Sequence, residues 1–260
     1  MEFYKNIFNG VGWFLPPYVS MGVIGKIAAE IQGKGSNFTQ TDLELELARI
    51  YTAEHLAAMV CERYPVTPYI SDFKEIISEA VEAHFSGLGH VAVAGLMPVI
   101  EGAGKKIADH RGVQYKYIKD VFKNLATDCK NDSRQNNIGA VDEIEAMMDS
   151  FIKFSEGNLY INSAKYPQED NTNRHGILHG AFSDQDYGQP INFYKAIAAI
   201  DFLCFISAFD AAISWFAPAE TEPSKRLSKY YRLCIEIYEG KPSYQLTNQA
   251  SGTQQSCAPS

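Results

Sequence analysis

At 260 residues, with 46% hydrophobic and 21% charged side chains, the chain has the make-up of a soluble globular protein with length enough for a real core. Its formal net charge of −8 excludes a surface uniformly built to wrap nucleic acid, although a local basic pocket remains compatible with it. The five cysteines, Cys61, Cys129, Cys204, Cys234 and Cys257, show no Cys-x-x-Cys spacing. That pattern points to buried free thiols in a reducing cytosol and away from a zinc site or a disulfide framework.

In chain order, Met1-Glu-Phe-Tyr-Lys carries no charged leader followed by an apolar run, so secretion is not expected. Val19, Val23, Ile24, Ile27 and Ile31 share one helical face, stopped by Gly33-Lys34-Gly35. Thr41-Asp-Leu-Glu44 has the spacing of a capping box and is expected to open a second helix that runs toward Pro65. Asp72-Phe-Lys-Glu75 is expected to open a third, carrying Phe73, Ile76, Ile77, Ala80 and Val81 and ending near Gly87 and Gly89.

His90 to Asp109 reads as a Gly-rich helix with Pro98 inside it, which predicts a kink or a close helix contact. A further helix carries Tyr115, Ile118, Val121, Phe122 and Leu125, and Lys130 to Asn137 reads as a polar loop. Val141, Ile144, Met148, Phe151 and Ile152 mark the next helix, and residues 157–172 read as a long loop. Within it, Leu159-Tyr-Ile161 is the best short strand candidate. A polar turn from Phe182 to Pro190 precedes a very apolar helix from about Asn192 to Phe216. Asp201 and Asp210 inside its most apolar stretch favour a core helix over a membrane span.

A final helix follows Pro223-Ser224, with Leu227, Tyr231, Leu233 and Cys234 expected partly inward. From about Pro242 the chain is polar and is expected to be a disordered tail; its last four residues, Cys257-Ala-Pro-Ser, formally fit a prenylation box but lack a polybasic run. The fold class is therefore all-α, without an internal repeat.

The segment that carries chemistry is Asn173-Arg174-His175-Gly176-Ile177-Leu178-His179-Gly180, with one guanidinium and two imidazoles in a chain of six histidines. Arg is a fixed planar cation able to hold a phosphate by two N–H groups. His gives or takes a proton near neutral pH. Together they are what phosphodiester cleavage needs. On an ideal helix Arg174 and His179 would stand about 140° apart, so they would not share a face unless the helix start deviates from ideal geometry. A purely structural role for the pair, capping carbonyls or meeting Asp201, Asp184 or Asp186, is the alternative.

His175 and His179, at i and i+4, have a spacing common to zinc ligands, but no third ligand presents itself beyond Asp184 or Asp186, and no metal or cofactor is expected. Glu101, in an apolar Gly-rich stretch, needs a partner, either Arg174 or Lys105 at i+4, with Lys105 slightly favoured. Asp201 on its apolar helix is expected to meet an Arg or His, since Lys195 is the sole local cation. Neither Ser86-Gly87-Leu88-Gly89 nor Gly102-Ala103-Gly104-Lys105-Lys106 has the spacing of a phosphate loop. Lys225-Arg226 is too short for a nucleic-acid patch.

The run Arg174, four residues, His179, with the polar His175 after the Arg, resembles the signature of the HEPN superfamily. Bacterial defence-type proteins of this kind are similar also in Asp186-Tyr187-Gly188, in Asp201 within Ala196 to Phe205, and in Glu101-Gly102 closing an upstream apolar helix. The likeness spans roughly Pro65 to Phe216. It implies a HEPN-like bundle over residues 65–240, a helical N-terminal portion over 1–64 and a tail over 241–260. It further implies a cytoplasmic homodimer acting as a metal-independent endoribonuclease on an RNA substrate. Arg174 and His179 would be catalytic, supported by Asn173, His175, Asp201, Glu101 and Tyr187. An antitoxin or regulatory protein would restrain it. A catalytically silent module that binds a nucleotide or a protein is the second expectation.

Overall fold

The computed structural model describes residues 1–241. Within them the chain folds as eleven α-helices joined by short turns, 3-10 segments and π turns, and no strand occurs among the described residues. The helices are α1 (Glu2–Gly10), α2 (Met21–Lys34), α3 (Gln40–Ile50), α4 (Ala53–Ala58), α5 (Lys74–Phe85), α6 (Gly89–His110), α7 (Ile118–Asn136), α8 (Val141–Phe154), α9 (Arg174–Leu178), α10 (Pro190–Ser207) and α11 (Glu222–Glu239).

The central element is α10, whose residues from Ile191 to Ser207 are all buried. It is long and apolar enough to cross a membrane by composition, yet 94% of it is buried inside this molecule. Helices α3 and α6 flank it; α5 and α7 pack on α6, α8 on α7 and α1, and α11 on α4 and α5. Around α10 the core is aromatic: Phe151 stacks on Phe202 at 4.0 Å, and Phe14 meets Phe151, Phe154 and Phe202 edge-on or tilted. Truncating any of these rings to Ala costs about 3–5 kcal/mol in a packed core.

Periodicity located most helices, and local chemistry moved several ends. The box that opens α3 is Thr39 with Asp42: Thr39 N donates to Asp42 at 2.9 Å and Asp42 N to Thr39 Oγ1 at 3.2 Å. The expected box of Thr41 and Glu44 does not form, because Glu44 instead accepts from Ile191 N at 3.0 Å and so caps the start of α10. The run toward Pro65 is broken at Tyr51, and Thr52 restarts it by accepting from His55 N. Asp72 does not cap α5; it pairs with Lys106 on α6 at 2.7 Å.

Pro98 sits exposed in an unbroken α6, and the Gly-rich stretch serves close approach. A Cβ at Gly102 would lie 2.7 Å from the Phe73 ring, and one at Gly104 3.0 Å from Phe122. Lys130 to Asn136 is helix rather than loop: Cys129 and Ser133 point inward, while Lys130 and Arg134 pair with Asp149 and Glu145 on α8. Those tertiary ion pairs outweigh a polar local composition. Leu159-Tyr-Ile161 is no strand; Leu159 and Tyr160 are both buried, at and just after the end of a π turn that continues α8.

The apolar helix ends at Ser207, short of Phe216. Beyond it, Asp210 leaves to meet Arg111 at 2.5 Å, and buried Arg63 takes the Ser214 and Phe216 carbonyls at 2.7 and 2.6 Å. Those carbonyls are thereby claimed by a side chain rather than by a helix ladder. On α11, Tyr231 and Cys234 are buried, but Leu233 is 49% exposed. Cys129, Cys204 and Cys234 are buried free thiols and Cys61 is half-buried. The expectations for the tail and for Cys257 lie outside the described residues.

Candidate active site

The site begins with a cap. Asn173 stands at the N-cap of α9, its Oδ1 accepting from Gly176 N at 2.9 Å, while its Nδ2 donates to the carbonyls of Asn158 and Ile161 at 2.8 and 2.9 Å. Every polar atom of this fully buried side chain is used in holding backbone. Asn173 therefore positions Arg174, and is not placed to touch a substrate.

Helix α9 lasts only five residues, and His179 sits just past it at the C-cap with φ −99° and ψ 8°. The 140° separation of an ideal helix therefore does not apply. Arg174 Nη1 lies 2.7 Å from His179 Nε2 and 3.4 Å from His175 Nδ1. An arginine can only donate, so the nearer contact requires Nε2 of His179 to carry a lone pair and the ring proton to sit on Nδ1. The two imidazoles lie nearly parallel, 14° apart with centroids 5.7 Å apart. His179 is exposed and Arg174 half-buried, so the cluster opens to solvent on the histidine side.

Behind the guanidinium stands Glu101 of α6. Its Oε2 accepts from Arg174 Nη2 at 3.2 Å, and its Oε1 forms an ion pair with Nε that is close but poorly aligned for a hydrogen bond. The expected partner Lys105 is not engaged; the carboxylate orients Arg174 instead. At 13% and 17% side-chain exposure the pair is screened little by solvent. Tyr160, edge-on to His175 at 6.3 Å and stacked on Phe122, closes one wall. Burial and then the Glu101 charge push its phenol well above the ordinary range. Burial, followed by the charge of Arg174, holds His175 below the ordinary imidazole range, with Glu101 opposing. His175 is thus a neutral acceptor at neutral pH.

Two of the expected supporting residues lie elsewhere. Asp201 is buried in α10, where Tyr64 donates to it at 2.8 Å; among the described residues no Arg or His donates to it, and Arg63 acts on it by its charge. Burial pushes its carboxyl up to about 7, against the Tyr64 bond and Arg63. Tyr187 packs edge-on against His90, centroids 4.9 Å apart, at the start of α6. Glu101 is eleven residues further on, roughly 16 Å along the helix, so the Asp186-Tyr187-Gly188 turn does not join the cluster. That turn is docked tightly, since a Cβ at Gly89 would fall 1.9 Å from the Gly188 carbonyl. Asp186 is engaged in its own turn with Ser183, and among the described residues no three His, Cys, Asp or Glu side chains gather as metal ligands.

A second set of groups, not expected from the sequence, sets the loop that delivers Asn173. Lys195 and Asp170 form a fully buried ion pair at 3.0 Å, and Lys195 also donates to Gln40 at 2.9 Å. The other Asp170 oxygen accepts from Thr172 N and Thr172 Oγ1. Asn192 donates to the Asp170 carbonyl and to Thr172, and accepts from Gly188 N and Gln189 N. One network thus fixes both the approach to Arg174 and the Asp-Tyr-Gly turn. The one sequence signal was Lys195 itself, a lone cation on an apolar helix, and its partner is Asp170 rather than Asp201. Comparison of the chain with protein-family models, with curated proteins and with solved structures gives no significant match.

Proposed function

We propose that the chain is a metal-independent endoribonuclease of toxin or phage-defence type, cytoplasmic, acting on RNA through Arg174 and His179 as a homodimer under the restraint of a partner protein. The observation that supports this most is the 2.7 Å contact of Arg174 with an exposed His179, backed by Glu101. In the proposed step the RNA 2′-oxygen forms a bond to the adjacent phosphorus as its proton passes to His179 Nε2. The bond from phosphorus to the 5′-oxygen breaks, and that oxygen takes a proton from water. The products are a 2′,3′-cyclic phosphate and a 5′-hydroxyl. Arg174 holds the non-bridging oxygens, where charge develops, and Glu101 keeps the guanidinium aimed. Because Arg174 and His179 of one chain already meet, a second copy would add to the site rather than create it.

A second reading, a silent module that binds a nucleotide or protein, draws on the same geometry. Glu101 and the two imidazoles face Nε, Nη2 and Nη1, so most of the five guanidinium N–H groups are occupied within the molecule. A phosphate must displace His179 from Nη1, which would also free Nε2 as a base.

The test is incubation with mixed cellular RNA in EDTA, comparing wild type, Arg174→Ala and His179→Ala. Fragments with 5′-hydroxyl ends from wild type, falling about 10²–10⁴-fold in His179→Ala while a DNA oligonucleotide stays intact, are expected. Cleavage of DNA at the RNA rate refutes the mechanism. Intact RNA combined with mononucleotide-dependent thermal stabilisation that Arg174→Ala abolishes assigns the silent module instead.

A further inference from the structure

The chain carries a net charge of −8, yet residues 105–123 hold six Lys or Arg against two Asp. Three of the six are engaged within the molecule: Lys106 pairs with Asp72, Arg111 with Asp128, and Lys123 with Glu156. Lys105, Lys116 and Lys119 are exposed and make no ion pair among the described residues. The two acids of the stretch are occupied, Asp109 accepting from the Tyr115 hydroxyl at 3.0 Å and Asp120 from Tyr117 N at 3.1 Å. Positive charge thus collects in one short stretch of an acidic molecule.

Packing brings that stretch to the Arg174 cluster. A Cβ at Gly104 of α6 would touch Phe122 and Val121 of α7. Seven residues further along, Arg111 reaches Asp128, which is seven beyond Val121. The two helices therefore run side by side in the same direction, and the first turn of α7 lies level with the turn of α6 that holds Glu101 and Lys105. Phe122 stacks on Tyr160, the wall of the cluster, at 5.2 Å. Lys119 is one turn before Lys123 on the same face of α7, and Lys123 meets Glu156 at 3.0 Å in the π turn that leads into Tyr160. Lys119 therefore stands on the side of α7 turned toward that wall.

Tyr117 is the exposed aromatic of this rim, at 55%. The ammonium groups of Lys116 and Lys119 lie 5.2 and 5.9 Å from its ring centroid. What Tyr117 gives the fold is its backbone N–H at the start of α7, and its ring contributes little to the core. An exposed ring between cations suits single-stranded nucleic acid: a base stacks on the ring, and ammonium groups take the phosphates on either side. A duplex keeps its bases stacked inside and offers such a rim its phosphates alone.

We propose that Lys105, Lys116, Tyr117 and Lys119 form a binding rim for single-stranded RNA, along which the strand passes to Arg174. Tyr117 stacks a base, and the three ammonium groups hold phosphates of neighbouring nucleotides. The proposal rests on the ribonuclease reading for what happens to the strand, and on the rim for how it is held. Stacking and phosphate contacts read no base edge, so the rim selects single strands and tolerates their sequence.

The test uses the full chain and a fluorescein-labelled 2′-O-methyl RNA dodecamer, which has no 2′-hydroxyl to react, with binding followed by fluorescence anisotropy. Tyr117→Ala should weaken binding about fivefold or more. The double variant Lys116→Ala with Lys119→Ala should flatten the dependence of log Kd on log salt by about 1.4, because each phosphate contact on a single strand contributes about 0.7. The matching duplex should bind at least tenfold more weakly than the single strand. The replaced side chains are exposed, so circular-dichroism melting should not change. On unmodified RNA the same variants should raise KM and leave kcat alone, since the reacting atoms meet Arg174 and His179. The rim is overturned by a wild type that does not bind the strand, by Tyr117→Ala binding as tightly, by an unchanged salt dependence, or by a duplex bound as tightly. RNA cleavage that Tyr117→Ala leaves unaltered in KM also overturns it, while the ribonuclease reading stands. Strand binding that depends on Tyr117 without any RNA cleavage upholds the rim and counts against the ribonuclease reading.

Discussion

Replacing Lys195 with Met removes one half of a buried ion pair while keeping most of the side-chain volume. Lys195 and Asp170 both have 0% side-chain exposure, and the ammonium serves Asp170 at 3.0 Å and Gln40 at 2.9 Å. Burial draws the lysine below its ordinary range and Asp170 opposes that shift. In the variant, Asp170 keeps Thr172 and Tyr166 as donors but loses its countercharge, and Gln40 loses its donor. Breaking a buried pair in this way costs about 3–5 kcal/mol, because the charge left behind is uncompensated. For a chain of this size that is a fall in Tm of roughly 6–20 °C.

Urea unfolding followed by circular dichroism measures the loss. The double variant Lys195→Met with Asp170→Asn tests its cause, since Asn removes the orphan charge and still accepts from Thr172. The double variant should be more stable than Lys195→Met alone, with a coupling on the order of 2 kcal/mol. A single-variant loss under about 1 kcal/mol, or a double variant no better than the single, refutes the account of the network as an ion pair that sets the Asn173 loop.

Asp201 makes stability depend on pH with a definite sign. Its folded carboxyl is raised to about 7 from 3.8, so the folded state holds a proton the unfolded chain has released between those values. This contribution is fully present below pH 3.8 and is lost as pH rises through 7, worth at most about 4 kcal/mol. Asp201→Asn should therefore be more stable than wild type at pH 8, with the difference shrinking as pH falls toward 4; a difference that is constant across that range excludes it. Asn173→Ala removes the cap of α9 and two donors to buried carbonyls, and should cost about 1–3 kcal/mol in urea unfolding. It should also lower any RNA cleavage without changing its pH profile, since Asn173 positions Arg174 and transfers no proton. A shifted profile would give Asn173 a direct part in the chemistry.

Local pattern alone determined the all-α class, most of the inward faces of α2, α5, α7 and α8 (Val23 and Ile76, expected inward, are exposed), the burial of the apolar α10, and the eight residues in which Arg174 and His179 occur. Those features follow from periodicity and composition within a few turns of chain, which is where side-chain spacing and backbone conformation are linked. Helix ends that depend on distant partners were not legible: Lys130 to Asn136 is helical because α8 offers Asp149 and Glu145, and α10 stops where Asp210 and Arg63 claim the chain beyond it. Tertiary structure alone decided the site. It shortened α9 so that His179 could fold back on Arg174, brought in Glu101 from 73 residues upstream, sent Asp201 to Tyr64, and joined Lys195 to Asp170. A buried charge must find its countercharge wherever packing puts one, and sequence distance carries no information about that choice.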